Sequence, residues 1–485
     1  MNILPRVKKI YDVHGEAGKD RSYRRDDTVP NEGYRIEADE KGTVVVFSDE
    51  AGKFYAEKTL AQIERGEGKI PCCIVEDEPV YPYRGFMIDC CRHFFTVEEL
   101  KRQIDVAAEL KLNRFHWHLT DDQGWRAEIK KYPLLTEIGS VRKQTRGDGK
   151  ERRGFYTRED MKEVVKYCAE RFIEVVPEID MPGHFSAAIA AYPILGCTGE
   201  KIAVSERFGI HDNIACAGKE STFLFVKDVL DEICDIFPSE YIHIGGDEAL
   251  KYRYLDCPDC QKAIIDNRLN DEEELQCVFL NRVIKHLESL GRKAIVWNDG
   301  TVGGKLEGDF CVQYWQESAK NKTATKNLVR GGKRVIYSPF SRFYLDYPAG
   351  MTSLKKTYNY NEEEISSAAT GLEAPLWTEY IDDVQKLEKN AYPRLFAVAE
   401  RAWSGRGDYA EFLSSLDGFE EYLVEKYDIN YDKDPNPSFF KGKAQVFRFF
   451  INAFDKSTFD YLKKSYRTAK EIKKRKKKRK SDLQS

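Results

Sequence analysis

The chain has 485 residues, of which 41% are hydrophobic and 33% charged, and its formal net charge is −4. That length supports a large core and more than one domain, while the weak charge argues against a polyanionic partner for the body of the protein. No run of about 18 apolar residues occurs, so no membrane-spanning segment is expected.

Met1 to Asp12 lacks the apolar stretch of a secretory signal. The 12 cysteines therefore read as reduced thiols of a cytoplasmic protein. Residues 1–82 read as a small α/β domain. Tyr34–Ala38 and Thr43–Phe47 look like strands joined at Glu40-Lys41-Gly42, and Ala51–Glu64 carries a helical period through Phe54, Leu60 and Ile63. Pro71, Pro79 and Pro82 then punctuate the passage to the next unit.

Over 83–405 strands and helices alternate. The expected strands are Phe86–Cys90, Asn113–Leu119, Phe172–Ile179, Tyr241–Ile244, Lys293–Trp297, Cys311–Trp315, Arg334–Tyr337 and Gly371–Trp377. Amphipathic helices are expected at Val97–Leu110, Arg158–Arg171, Thr222–Ile236, Glu273–Leu290 and Ala319–Val329, with one more between Asp383 and Trp403. Eight strands with interleaved helices argue for a (β/α)₈ TIM barrel preceded by the small α/β domain. The rival, a doubly wound sheet, is weakened because no glycine-rich phosphate fingerprint follows the first strand.

Tyr241 to Glu248 (YIHIGGDE) is the stretch on which function turns. It starts as a buried strand and ends in two adjacent carboxylates, Asp247 and Glu248, after two glycines that allow a sharp turn. A bare Asp-Glu pair would more often be a solvated helix cap. Here acids or tryptophans recur at all eight strand ends: Asp89 and Arg92; His118, Asp121 and Asp122; Glu178, Asp180 and His184; Asp247 and Glu248; Trp297, Asn298 and Asp299; Trp315; Tyr344 and Asp346; Trp377 and Glu379. A site built from βα-loops needs such residues on one face of the barrel. The 12% aromatic content suits a sugar cleft, though a large core explains much of it. Cys257-Pro258-Asp259-Cys260 is a CxxC without an evident second ligand pair, so it reads as buried thiols and no metal.

Residues 406–460 read as helices closing the barrel, including Tyr409–Phe419 and Gln445–Phe454. Over 461–485 the chain becomes basic, and the run KKRKKKRK from Lys473 to Lys480 is expected to be disordered because like charges repel. Such a tail is chemically suited to RNA, acidic lipid or an acidic protein, and a solubilising end with no partner explains it equally.

Several long stretches resemble glycoside hydrolase family 20, the β-N-acetylhexosaminidases. They are RGFMIDCCRHFF (84–95), NRFHWHLTDDQGWR (113–126), VPEIDMPGH (176–184), HIGGDE (243–248), SRFYLDY (341–347), EAPLWTEY (373–380) and YPRLFAVAERAWS (392–404). The resemblance covers most of residues 30–405, and the lysine-rich end departs from it. It implies exo-acting, retaining release of terminal β-linked GlcNAc or GalNAc from an oligosaccharide or glycoconjugate, through an oxazolinium intermediate and without cofactor or metal. By resemblance Glu248 is the general acid and base, and Asp247 orients the substrate's acetamido group. Tyr344 bonds the acetamido oxygen. Trp297, Trp315 and Trp377 are aromatic walls. Arg92, Asp346 and Glu379 grip sugar hydroxyls, and Asp121, His184 and Asp180 form a relay behind Glu248. The other readings are a glycosidase with an enzymic nucleophile (Glu379 or Asp346), release of a disaccharide in the manner of a lacto-N-biosidase, and a sugar-binding barrel without catalysis.

Overall fold

The computed structural model describes residues 3–361, 369–453 and 456–482. The chain opens with a five-stranded sheet of β1 (Lys9–Glu16), β2 (Asp20–Arg25), β3 (Tyr34–Asp39), β4 (Gly42–Phe47) and β5 (Pro71–Asp77), in the order β1-β5-β3-β4-β2. Burial alternates along β3, so Tyr34, Ile36 and Ala38 face a core closed by helix α1 (Glu50–Glu67) through Tyr55, Leu60 and Ile63. Pro71 opens β5 instead of breaking the chain, and the sequence reading also missed β1 and β2. Both strands are exposed at every position and carry no hydrophobic alternation to betray them.

Eight parallel strands then close into a barrel: β6 (Tyr83–Asp89), β7 (Arg114–His118), β8 (Glu174–Glu178), β9 (Tyr241–His243), β10 (Lys293–Trp297), β11 (Phe310–Tyr314), β12 (Val335–Tyr337) and β13 (Ala369–Leu376), which pairs with β6. Each lies within or overlaps an expected strand. β6, β9, β11 and β12 are buried at every position, as strands covered on both faces must be. The helices between them include α2 (Val97–Glu109), α3 (Arg158–Ala169), α4 (Glu220–Ile236), α5 (Pro258–Asp266), α6 (Glu272–Ser289) and α7 (Ala319–Arg330). Two are started by local chemistry. Thr96 and Glu99, and likewise Thr157 and Asp160, form reciprocal capping boxes that satisfy orphan amides at the first turn. The single helix expected between Asp383 and Trp403 is two, α8 (Val384–Ala391) and α9 (Arg394–Ser404), because Pro393 interrupts the ladder.

The small sheet is bolted to the barrel by buried charge. Asp77 on β5 accepts hydrogen bonds from Lys111 Nζ (2.9 Å), Tyr34 Oη (2.5 Å) and Trp403 Nε1 (2.9 Å). Arg84 on β6 reaches back to Glu32 with both guanidinium nitrogens, at 2.8 and 2.9 Å.

Four helices follow the barrel: α10 (Tyr409–Leu416), α11 (Phe419–Tyr427), α12 (Phe439–Ala453) and α13 (Lys456–Asp482). The last one corrects the expectation of a disordered basic tail. Arg475 pairs with Asp256 (3.3 Å), Lys476 with Asp271 (2.5 Å) and Arg479 with Glu272 (3.2 Å). Repulsion within the run is offset by acids of the loop after β9 and the start of α6, which sequence distance conceals.

Candidate active site

The C-terminal ends of the strands surround a cavity of about 270 Å³, just below the roughly 300–1,000 Å³ typical of ligand pockets. Of the expected residues, Arg92, His184, Asp247, Glu248, Trp315, Tyr344, Asp346, Trp377 and Glu379 line it. Asp121 and Asp180 stand one layer behind, among residues buried to about 1% exposure. Trp297 does not line the cavity. It is fully buried beneath Trp377 (ring centroids 6.0 Å apart), and its indole N–H donates to Glu178 Oε1 at 2.8 Å.

The turn after β9 is built around backbone conformations that glycine permits. Gly245 has φ 65°, and a Cβ there would fall 1.6 Å from Asp180 Oδ1. The bare backbone lets Asp180 lie against the turn and accept the Gly246 amide at 3.2 Å. Glu248 follows with φ 46°, and His184 on the neighbouring loop has φ 52°. Left-handed backbone at non-glycine residues costs about 1–3 kcal/mol each and is held only by the surrounding structure.

The two adjacent acids end in different environments. The side chain of Glu248 is 31% exposed and that of Asp247 only 8%. Asp247 Oδ1 is buried, lines the cavity and has no protein hydrogen-bond partner among the described residues; Asp346 Oδ1 is in the same condition. Buried acceptors of this kind are unusual and call for a donor from a ligand. Burial, then the charge of Asp180, pushes the Asp247 carboxyl well above the usual carboxylate range. Burial likewise pushes Asp180 up to about 8. The pair therefore resists carrying two negative charges.

His184 connects the acids to the back of the site. Its Nδ1 is 3.1 Å from Asp121 Oδ1, and its Nε2 is 3.5 Å from Glu248 Oε2 and 3.8 Å from Asp247 Oδ2. Burial opposes its positive charge, but Asp121, Asp122 and Glu248 outweigh that and hold the imidazolium well above its ordinary range. Asp121 also accepts from Arg92 Nη2 (3.0 Å) and bonds His118 Nε2 (2.8 Å). Burial would raise the Asp121 carboxyl, yet Arg92 and His184 hold it well below its ordinary value.

Arg92 is oriented by Asp89 (3.3 Å) and Gln123 (2.9 Å), lies 3.9 Å from Glu379 and stacks its guanidinium 4.9 Å over Trp377. Trp315 stacks on Tyr344 with centroids 6.0 Å apart, and Tyr344 lies 6.3 Å from Trp377. The cavity lining thus combines aromatic rings with charged groups.

Among the residues that the sequence motifs do not single out, three matter most to the cavity. Asp299 accepts the Glu248 amide (3.0 Å) and the Trp315 indole N–H (2.8 Å), so one carboxylate sets both the acid's turn and an aromatic wall. Its place at the end of β10 is the only sequence signal for it. Tyr347 lines the cavity from within the SRFYLDY stretch, three residues after Tyr344. Phe449, from α12, packs on Tyr347 and Tyr380 (5.5 and 5.7 Å) and closes the cavity mouth; nothing local in the sequence signals it.

As to metals, Asp180, His184 and Asp247 could together contact an ion, but Asp180 is engaged by the Gly246 amide and His184 by carboxylates. The CxxC is different. Its expected isolation is corrected by the fold, which brings Cys197 and Cys216 to Cys257 and Cys260.

Comparison with known proteins agrees with this geometry. Residues 81–406 match the model of the glycosyl hydrolase family 20 catalytic domain, and residues 6–78 match that family's domain 2. A β-hexosaminidase of Porphyromonas gingivalis is 40% identical over 82% of this chain, which spans 54% of that longer relative. One from Akkermansia muciniphila is 32% identical over 92% of this chain and 94% of its own length. The crystal structure of a β-N-acetylhexosaminidase from Bacteroides fragilis superposes with a TM-score of 0.80 at 34% identity, covering 90% of this chain and 98% of that one. With a family model across more than half of its length and the barrel, the strand-end acids and the aromatic walls in place, the chain belongs to glycosyl hydrolase family 20.

Proposed function

We propose that the protein is an exo-acting, retaining β-N-acetylhexosaminidase that removes a terminal β-linked GlcNAc or GalNAc with the help of the substrate's own acetamido group. The observation that carries this reading is the division of labour at Asp247 and Glu248: a buried, unpartnered carboxylate oxygen beside a partly exposed acid on the same turn. The Vibrio harveyi exo β-N-acetylglucosaminidase, whose structure holds N-acetylglucosamine, superposes at a TM-score of 0.80 and 29% identity.

In this mechanism Asp247 Oδ1 accepts the acetamido N–H, and the Tyr344 hydroxyl donates to the acetamido oxygen. Both aim that oxygen at C1. Tethering the nucleophile to the substrate avoids the entropy of bringing in a second group. As the acetamido oxygen bonds C1, Glu248 gives its proton to the departing glycosidic oxygen. The resulting oxazolinium is opened at C1 by water, whose proton returns to Glu248, and the two inversions give net retention. Asp247 balances the positive charge on the acetamido nitrogen, and Asp180 holds the turn. The chain Arg92–Asp121–His184 ends 3.5 Å from Glu248 and carries charge that follows its proton. Trp315 and Trp377 give the sugar a flat apolar face, while Arg92, Asp346 and Glu379 take its hydroxyls. The small cavity suits one sugar at a chain end. The domain of residues 1–82 contributes no group to the cavity lining and is proposed as a non-catalytic support for the barrel over 83–405.

The test is a panel of aryl β-glycosides with a thiazoline analogue of GlcNAc as inhibitor. GlcNAc and GalNAc glycosides should turn over, glucosides should be nearly inert, and the thiazoline should bind far more tightly than GlcNAc, as intermediate mimics do. Ready glucoside hydrolysis with no thiazoline inhibition, or a covalent fluoro-sugar adduct on Glu379 or Asp346, would overturn the reading.

The described residues contain no helix long and apolar enough to cross a membrane. We assign the protein to the reducing cytoplasm on the strength of its 12 unpaired cysteines. Thiol titration of denatured, unreduced protein should find them free; a set of disulfides would refute the assignment.

A further inference from the structure

Outside the active site, four cysteines of the described residues form one cluster. Cys197 and Cys216 lie in the long connection after β8, which also carries Asp180 and His184. Cys257 and Cys260 flank the start of α5, in the connection after β9 that also carries Asp247 and Glu248. All four sulfurs lie within 4.8 Å of one another. The Cys197–Cys260 separation is 3.9 Å, Cys216–Cys257 is 3.6 Å and Cys216–Cys260 is 3.5 Å. A disulfide needs about 2.05 Å. Four sulfurs placed about 2.3 Å from one tetrahedral zinc ion stand roughly 3.8 Å apart. The observed spacings match the second figure.

The surroundings are built for anionic sulfur. Cys257 is the N-cap of α5, so the positive end of that helix faces the cluster. Gly218 makes the approach feasible. A Cβ there would lie 2.3–2.4 Å from the backbone of Asp259 and Cys260, so only a bare α-carbon lets the segment of Cys216 lie on the CxxC turn. The Cys216 amide donates to Leu195 O (2.8 Å), holding Cys216 beside the strand-like bridge that leads to Cys197. Ile214, Tyr254, Ile264 and Leu275 enclose the sulfurs in an apolar cluster of their own, separate from the barrel core. Lys219 Nζ donates to Gly196 O at 2.7 Å, which places a cation next to the site.

The geometry points to a structural zinc site, with Cys197, Cys216, Cys257 and Cys260 as a tetrathiolate that ties together the two βα-loops flanking the general acid. Four protein ligands leave no open coordination position, so the ion takes no part in the chemistry. Its effect is on position. Ala249, the residue after Glu248, belongs to the same apolar cluster, so the staple fixes the turn that aims the acid. Binding requires deprotonated thiols and is therefore weakened at low pH.

The test begins with the unmodified protein, purified without a histidine tag and without chelator. Elemental analysis should give about one zinc per chain, and an organomercurial should release it in step with the titration of four thiols. Cobalt substitution should give the charge-transfer and d–d bands of a tetrahedral thiolate site. Cys257→Ser with Cys260→Ser should lose the metal, melt at lower temperature and lower kcat on GlcNAc substrates severalfold. A native protein without bound transition metal, in which all four thiols alkylate freely, would overturn the assignment, as would Cys197–Cys260 or Cys216–Cys257 disulfides. Should the double variant fail to fold, the zinc stoichiometry and the mercurial coupling of the unmodified protein still decide.

Discussion

Two carboxylates at one turn are separated here by burial, and each predicts its own mutant. Glu248 meets solvent at the cavity mouth and contacts His184 at 3.5 Å. Glu248→Gln should cut turnover by about 10²–10⁴ on glycosides with poor leaving groups, and much less on those with good ones, because acid help is worth most where the leaving oxygen is basic. A uniform loss across a leaving-group series would remove Glu248 from that role. Asp180 makes a prediction about pH. Its folded pKa of about 8 lies above the roughly 3.9 of an unfolded aspartate. Its neutral form is favoured on folding, so its ionisation destabilises the native state progressively as pH rises from about 4 towards 8. Asp180→Asn should therefore flatten the decline of melting temperature across that window while lowering activity, since the carboxyl that accepts the Gly246 amide and shares a proton with Asp247 is gone. A variant with the same pH slope as the parent would show that the proton of the pair resides elsewhere, on Asp247.

Helices α12 and α13 give the active site something the barrel alone does not supply. Phe449 completes the cavity wall against Tyr347 and Tyr380, and Tyr461 lies close enough to feel the charges of Glu248 and Asp299. An aromatic contact of this kind is worth about 0.5–1.5 kcal/mol beyond its buried area. Phe449→Ala should thus lower kcat/KM roughly two- to tenfold, mainly through KM. Unchanged kinetics would mean that α12 stands clear of the bound sugar. The basic stretch of α13 is held by Asp271 and Glu272, whose side chains are 4% and 0% exposed. Deleting residues from 468 onward leaves these acids without their cations, which should cost about 1–3 kcal/mol and register in urea or thermal unfolding. A deletion that leaves stability untouched would return the segment to the status of a loose tail.

At the scale of the whole molecule, the small sheet and the barrel share polar anchors buried in their interface. Lys111 is fully buried and depends on Asp77 for its counter-charge. Burial lowers the Lys111 pKa, and Asp77 opposes that. Removing one partner of such a pair strands the other, at about 3–5 kcal/mol. Asp77→Ala should therefore destabilise the entire chain by that amount, and calorimetry of the unmodified protein should show residues 3–405 unfolding as one unit. Two well-separated transitions, with only the first moved by Asp77→Ala, would show the domains to be independent.

Much of the architecture was readable without coordinates because its causes are local. Alternating runs of apolar residues mark the eight strands, 3.6-residue periods mark the helices between them, and a strand's end is where its polar residues must project. The acids and tryptophans of the cavity follow from that rule, except Trp297, whose last-strand-residue position turned it into the barrel interior, onto Glu178. The remainder depended on distances that no sequence interval encodes. Cys216 reaches the CxxC only because two long loops fold over one another, with Gly218 giving the clearance. Phe449 reaches the cavity because α12 crosses the barrel mouth. Arg475, Lys476 and Arg479 are ordered by acids about 200 residues earlier in the chain. Local patterns determine which elements form, since they reflect each segment's own burial; contacts between loops and across domains are decided only when the whole chain packs.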